Sequence, residues 1–295
     1  MLLSMIPHYV HPKLHKTIGT LLHELRVFAS DAPLQRVVPF PCYPALESEC
    51  PSTLTHWTLA SGSSLKAKTL IMATLNATPD SFSDGSLHNT IPSALEYGRR
   101  SVKAGTSIVD IGGYSTRPRA SLVTVEEEME RVIPIIQSLR QDEELKSIPF
   151  SIDTFRPEVA KAAVLAGANC INDVYSFTGP DSFPLKDEHE ENLRAMQKVA
   201  KELAVPVILM HSRGDAGQNK EYEDYSYAAD GKFIEGVRVE LGHKMEKIVK
   251  GKGGIRRWFV VVDPGIGFSK PTEGNLELLR NAAAITADKD IGRGL

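Results

Sequence analysis

From Thr69 onward the chain repeats one pattern six times: a short apolar run ending on polar residues, then an amphipathic helical stretch. The apolar runs are Thr69–Asn76, Ser107–Gly113, Ile148–Thr154, Asn169–Val174, Pro206–Ser212 and Trp258–Gly265. Helical periodicity begins near Ile91, Thr124, Arg156, Glu190, Gly236 and Thr272. Strand then helix, repeated, means βα units and a parallel sheet covered by helices. A doubly wound sheet would carry a Gly-rich turn after its first strand. Here that strand runs into NATPDSFSDG (Asn76–Gly85) instead. The expectation is therefore α/β of the TIM (β/α)8-barrel type, incomplete at about six units. Barrel chemistry sits where the strands end, and these runs end at Asn76, Asp110, Asp153, Asn172–Asp173, His211 and Asp263.

The part before Thr69 has another texture. One helix is expected over Lys16–Arg26, and Pro33, Pro39, Pro41, Pro44 and Pro51 mark a connector with one short strand at His56–Leu59. With 34 Lys+Arg against 37 Asp+Glu, the net charge of -3 gives no footing for non-specific nucleic-acid binding. No apolar run approaches the ~20 residues of a membrane span. The opening MLLSMIPHYVHPKLHK lacks the basic n-region and small-residue cleavage site of a signal peptide. Three cysteines, Cys42, Cys50 and Cys170, fit a reducing, cytoplasmic setting better than a disulfide framework.

Asp153, Asn172 and Asp263 come from three strands that a barrel would bring to one mouth. Two carboxylates and an amide suit a heterocycle with several N–H donors. They could also hold a metal, although magnesium and calcium sites need more oxygen ligands than these supply, or work as an acid/base pair, and each alone could be a turn cap. In GGYSTRPR (Gly112–Arg119), Ser115 and Thr116 offer hydroxyls and Arg117 a fork for an anion, although STRP alone also reads as a surface turn. Asn76 is an oxygen donor suited to a magnesium ion carried in with a phosphate group. Met210 could lie on a flat ring or simply pack the core. His11 and His15 have metal-capable spacing but lack a third ligand nearby.

These residues resemble one family. LNATPDSFSDG, GGYSTRP, SIDT, INDV, MH and DPGIGF stand in the order and at roughly the spacings of dihydropteroate synthases, over Ala67 to Arg280. HPKLHKTIGTLLHEL is similar to the tail of a hydroxymethyldihydropterin pyrophosphokinase, which precedes the synthase in fungal multifunctional folate proteins. The resemblance implies three parts: residues 1–28 as a kinase remnant, 29–66 as a linker and 67–295 as a pterin-binding barrel. It implies that a dihydropterin-CH2-diphosphate condenses with p-aminobenzoate to give dihydropteroate and diphosphate. Asp153, Asn172 and Asp263 would grip the pterin, with Met210 against the ring and Phe268 of DPGIGF at the same site. Asp153 and Asp263 would also serve catalysis by stabilising the cation left at the ring. Asn76 would meet Mg2+, and Ser115, Thr116 and Arg117 would hold diphosphate and p-aminobenzoate. The family's later Ser-Arg-Lys and Arg-x-His strands are not in this sequence. The expectation is a synthase sequence lacking its last two βα units, whose turnover and homodimer need that end. A pterin-binding methyltransferase domain and an inactive fragment are the alternatives; TPDSFSDG and STRP argue against the first.

Overall fold

A computed structural model describes residues 8–28, 36–41, 54–59, 69–78, 90–115, 123–180, 189–214, 233–250 and 253–285. Helix α1 (Ile18–Phe28) is followed by strands β1 (Arg36–Pro39) and β2 (His56–Leu59). The two strands pair antiparallel, Val38 opposite Trp57. Val38 and Phe40 are buried, and β1 touches the single turn Arg257–Phe259. The expected strand at His56–Leu59 is present; its partner β1 was not foreseen, because RVVP offers only two apolar residues before a proline.

The remainder is a run of βα units. Strands β3 (Met72–Asn76), β4 (Ile108–Gly112), β5 (Phe150–Asp153), β6 (Cys170–Asp173), β7 (Val207–Met210) and β8 (Val260–Asp263) are all parallel and lie in chain order. That order never reverses, as a doubly wound sheet would require; the sheet is the wall of a barrel. Among the described residues β3 and β8 each have one strand neighbour. Asn76, Gly112, Asp153 and Asn172 form one row across four strands. The row continues to Ile208 and Val261, so Met210 and Asp263 stand two residues higher.

Helices α2 (Ile91–Lys103), α3 (Val125–Gln141), α4 (Pro157–Leu165), α5 (Glu190–Glu202), α6 (Phe233–Lys250) and α7 (Thr272–Arg280) cover the outside. Their starts follow from local chemistry. Thr90 caps α2 by accepting the Ser93 N–H, and Thr124 and Glu127 form a reciprocal capping box on α3. Pro157 occupies the first turn of α4, where a missing N–H costs nothing. Only α6 departs visibly from expectation, beginning three residues before Gly236. No described helix is long and apolar enough to cross a membrane.

Strand alternation separates two faces. Leu75, Val109, Ile111, Ile152, Ile171, Val207 and Leu209 point outward into one core with the helices. Each is fully buried, and such burial stabilises by about 1.5–3 kcal/mol per large aliphatic side chain. The intervening residues Asp110, Ser151, Asp153, Asn172 and Asp263 face the barrel interior. The interior face is polar on β4, β5 and β6 towards their ends, whereas β7 and β8 are apolar on both faces until Asp263.

Candidate active site

Asp110 is the hub of the interior. It is buried, and Ser151 Oγ donates to its Oδ1 at 2.5 Å while Asn172 Nδ2 donates to its Oδ2 at 3.0 Å. Burial pushes this carboxyl up, against the pull of those two donors, and the facing Asp263 adds to the rise. Asp153 is pushed well above the usual carboxylate range, first by burial and then by Asp110, Asp173 and Glu128. Among the described residues no cation pairs with Asp110, Asp153 or Asp263.

Gly112 sits between Asn76 and Asp153 in the row, and its missing side chain opens the mouth. A Cβ there would lie 3.5 Å from Asp153 Oδ2 and 3.8 Å from Asn76 Oδ1. Both oxygens therefore converge over this glycine. Across the mouth, Asp263 closes the end of β8. Its carbonyl accepts the His211 N–H at 2.9 Å, and its Oδ1 accepts the Gly265 N–H at 2.7 Å.

An apolar wall stands beside the acidic one. Met210, Val174 and Tyr175 are buried together, with Phe155 and Phe268 packed against them. Tyr114, Phe155 and Tyr175 meet edge to face at centroid distances of 5.4 and 5.3 Å. Asp173 faces outward and serves the turn: its oxygens accept the N–H groups of Tyr175 and Phe177 at 2.8 and 2.9 Å. Those bonds brace Ser176 and Phe177, both at positive φ.

The interior can therefore accept several N–H groups from a flat ring and face that ring with a thioether and aromatics. Asp153, Asn172, Asp263, Met210, Phe268 and Asn76 all border it. Ser115 lies just past β4, partly exposed. Thr116 and Arg117 lie outside the described residues, as do Cys42, Cys50 and residues 79–89 of the loop after β3. His211, a polar strand end, does not serve the mouth. It turns outward to α6, where its Nε2 meets Glu240 Oε2 at 2.7 Å. Burial pulls it down to about 4, so it is neutral near pH 7. Asp110 was named among the polar strand ends but given no role, and Ser151 and Lys270 were missed as site residues. The signal for Asp110 was its place two residues before Gly112, which puts both on one face of β4.

Among the described residues there is no cluster of three His, Cys, Asp or Glu able to hold a metal ion. The donor set still fits magnesium arriving with a diphosphate, because Mg2+ is commonly held by one or two protein oxygens plus phosphate oxygens and water. Asn76 Oδ1 is such an oxygen.

A parallel barrel wall with ligand-ready acids at its strand ends defines a barrel-type ligand-binding or catalytic domain. Residues 72–292 match the family described as pterin binding enzyme. The dihydropteroate synthase of Synechocystis is 40% identical over 214 residues, covering 72% of this chain and 66% of that one. The folic acid synthesis protein fol1 of Schizosaccharomyces pombe is 35% identical over 280 residues, covering 94% of this chain and 32% of that one. Among solved structures, the Xanthomonas albilineans dihydropteroate synthase with 4-aminobenzoic acid superposes with a TM-score of 0.59 at 37% identity, covering 78% of this chain and 71% of that one. The chain belongs to the pterin-binding enzyme family, and these relatives place it beside the dihydropteroate synthases. It spans just under two thirds of the cyanobacterial relative and about a third of the fission-yeast one.

Proposed function

We propose that the mouth binds a dihydropterin bearing a CH2-diphosphate and joins it to p-aminobenzoate, giving dihydropteroate and diphosphate. The observation that supports this most is the pair of interior carboxylates, Asp110 and Asp153, that no cation pairs among the described residues. Acceptors held in a low dielectric suit a ring that presents N–H donors and gains positive charge as the reaction proceeds. The C–O bond to diphosphate breaks, its electron pair leaving with the diphosphate, and the resulting cation delocalises over the pterin. The arylamine nitrogen forms the new C–N bond and gives up a proton to water or diphosphate.

Asp153, Asn172 and Asp263 hold the ring edge and stabilise that cation; Asp110 fixes the Asn172 amide. Met210 and Phe268 flank the ring and exclude water. Asn76 would be the protein ligand of Mg2+, which when bound neutralises leaving-group charge. Ser115, Thr116 and Arg117 follow β4 in sequence and would address the anionic groups. No protein nucleophile is required, since orientation and electrostatics supply the catalysis. Calorimetry of the full chain with a dihydropterin-CH2-diphosphate tests the binding, and chromatographic detection of dihydropteroate tests the reaction. Absence of binding at millimolar ligand overturns the reading. Binding with no product in the presence of p-aminobenzoate and Mg2+ reduces it to a pterin-binding domain.

A further inference from the structure

The turn from β8 to α7 is wrapped around a buried cation. Lys270 is 3% exposed. Its Nζ donates to the carbonyls of Gly265 at 2.8 Å, Phe268 at 3.0 Å and His211 at 3.3 Å. Three donors thus meet three acceptors. The turn is otherwise costly to hold. Gly265, Gly267 and Ser269 all have positive φ, and a Cβ on Gly265 would come within 2.1 Å of the His211 carbonyl oxygen. The chain is folded this tightly against the end of β7 because the ammonium lies between the carbonyls. The same turn carries two groups of the mouth. Asp263 is held through its bond from the Gly265 N–H, and Phe268 packs beside Met210.

We propose that Lys270 is a positioning residue: its ammonium gathers the carbonyls of His211, Gly265 and Phe268, and so sets where Asp263 and Phe268 stand for a ligand. The part of this that concerns the ligand rests on the pterin reading above. Burial pulls Lys270 down to about 7, opposed by Asp263 on β8 and Glu240 on α6 and assisted by Arg213 beyond β7. His211 is neutral, pulled down by burial and by the charges of Lys270 and of Lys244 on α6. Above neutral pH the side chain becomes an amine with one donor fewer and no charge, and the cradle loosens.

The test uses the full chain, with amide hydrogen exchange referenced to the amides of Leu75 and Ile111. Lys270→Met should lose protection at Gly265 and Phe268 at every pH. Wild type should lose it only as pH rises from roughly 6 to 9. Lys270→Arg keeps its charge and should show no such step. In calorimetry with 6-hydroxymethyl-7,8-dihydropterin, Lys270→Met should bind about tenfold more weakly or worse, and the wild-type affinity should follow the exchange step. Unchanged protection in Lys270→Met, or the same pH response in wild type and Lys270→Arg, overturns the proposal. Should Lys270→Met not fold, the wild-type and Lys270→Arg pH series decides alone. If exchange behaves as expected but wild type binds no pterin, the ligand reading fails and the positioning role stands.

Discussion

The two sides of the barrel wall treat buried carboxylates in opposite ways. On the helix side Glu240 and Glu128 each have a cation, while Asp173 is satisfied by two backbone N–H groups. Glu240 takes Arg213 through Nε at 2.9 Å and through Nη2, and His211 through Nε2 at 2.7 Å. Glu128 is fully buried and takes Arg156 at 2.7 Å. That guanidinium also donates to the carbonyls of Val123 and Thr124 and lies over the Tyr114 and Phe155 rings. On the interior side, among the described residues, Asp110 and Asp153 have only an amide, a hydroxyl and each other. Burial raises both, and no described cation relieves either. The first arrangement holds a fold together. The second leaves electrostatic free energy unspent until a ligand brings N–H groups to it, which is why the interior and not the better-connected helix layer reads as the site.

The comparison makes its largest prediction on the helix side. Glu240→Ala leaves Arg213 and His211 without their carboxylate and should destabilise by about 3–5 kcal/mol, seen as a large fall in the urea midpoint. Next comes acid. His211 is buried and pulled down to about 4, below the ~6.5 of an unfolded histidine. The unfolded state therefore binds the extra proton first, and stability should fall as pH drops from about 6.5 to 4, by roughly 3 kcal/mol. Asp153 works the other way: its folded carboxyl is raised, so the folded state takes up the proton first and gains stability as pH falls toward the unfolded value. In denaturant titrations at stepped pH, His211→Gln should remove the acid loss and Asp153→Asn the opposing gain. If neither variant changes the slope, the assignment of the two sides is wrong.

Much of this was legible beforehand. The six strands fall inside the six apolar runs, and five of the six helices that follow them start within a residue of the expected position. Polar strand ends pointed to Asn76, Asp153, Asn172 and Asp263, and the structure puts all four on the interior face. The misses have a common cause. Ser151 sits inside a strand, where a single polar residue carries no periodic signal until a neighbouring strand supplies its partner, and Asp110, though visible as a polar strand end, shows its role only once Asn172 and Ser151 are seen to meet it. Lys270 follows the glycines of a turn, and nothing in a one-dimensional reading shows three carbonyls closing on it. His211 looked like Asp263 in sequence; strand alternation, which puts it one residue past the inward-facing Met210, sends it to the helix side.

A middle-sized effect separates binding from folding. Asp153→Asn keeps the shape, removes a carboxyl that no described cation pairs and halves the acceptor capacity offered to a ring. Pterin affinity should fall by about 1.5–3 kcal/mol, the range for hydrogen bonds to charged groups, while the urea midpoint near pH 7 rises. A variant that lost both affinity and stability would place Asp153 among the structural carboxylates, with Glu240.

The finest test uses two adjacent glycines on opposite sides of the wall. A Cβ on Gly113 would come 2.7 Å from Val132 Cγ1 and 3.1 Å from the Glu128 carbonyl oxygen. α3 would have to shift, so Gly113→Ala should cost about 1–3 kcal/mol as overpacking does. A Cβ on Gly112 meets only ordinary contacts, at 3.5 Å or more, and its φ is not in the left-handed region. Gly112→Ala should therefore leave stability within about 0.5 kcal/mol of wild type. It should still weaken pterin binding in calorimetry, because the methyl group stands between Asn76 and Asp153 where the ligand's edge must come. One glycine is empty so that a helix can pack, the other so that a ligand can enter. If Gly112→Ala binds pterin as wild type does, the entrance lies elsewhere on the interior face.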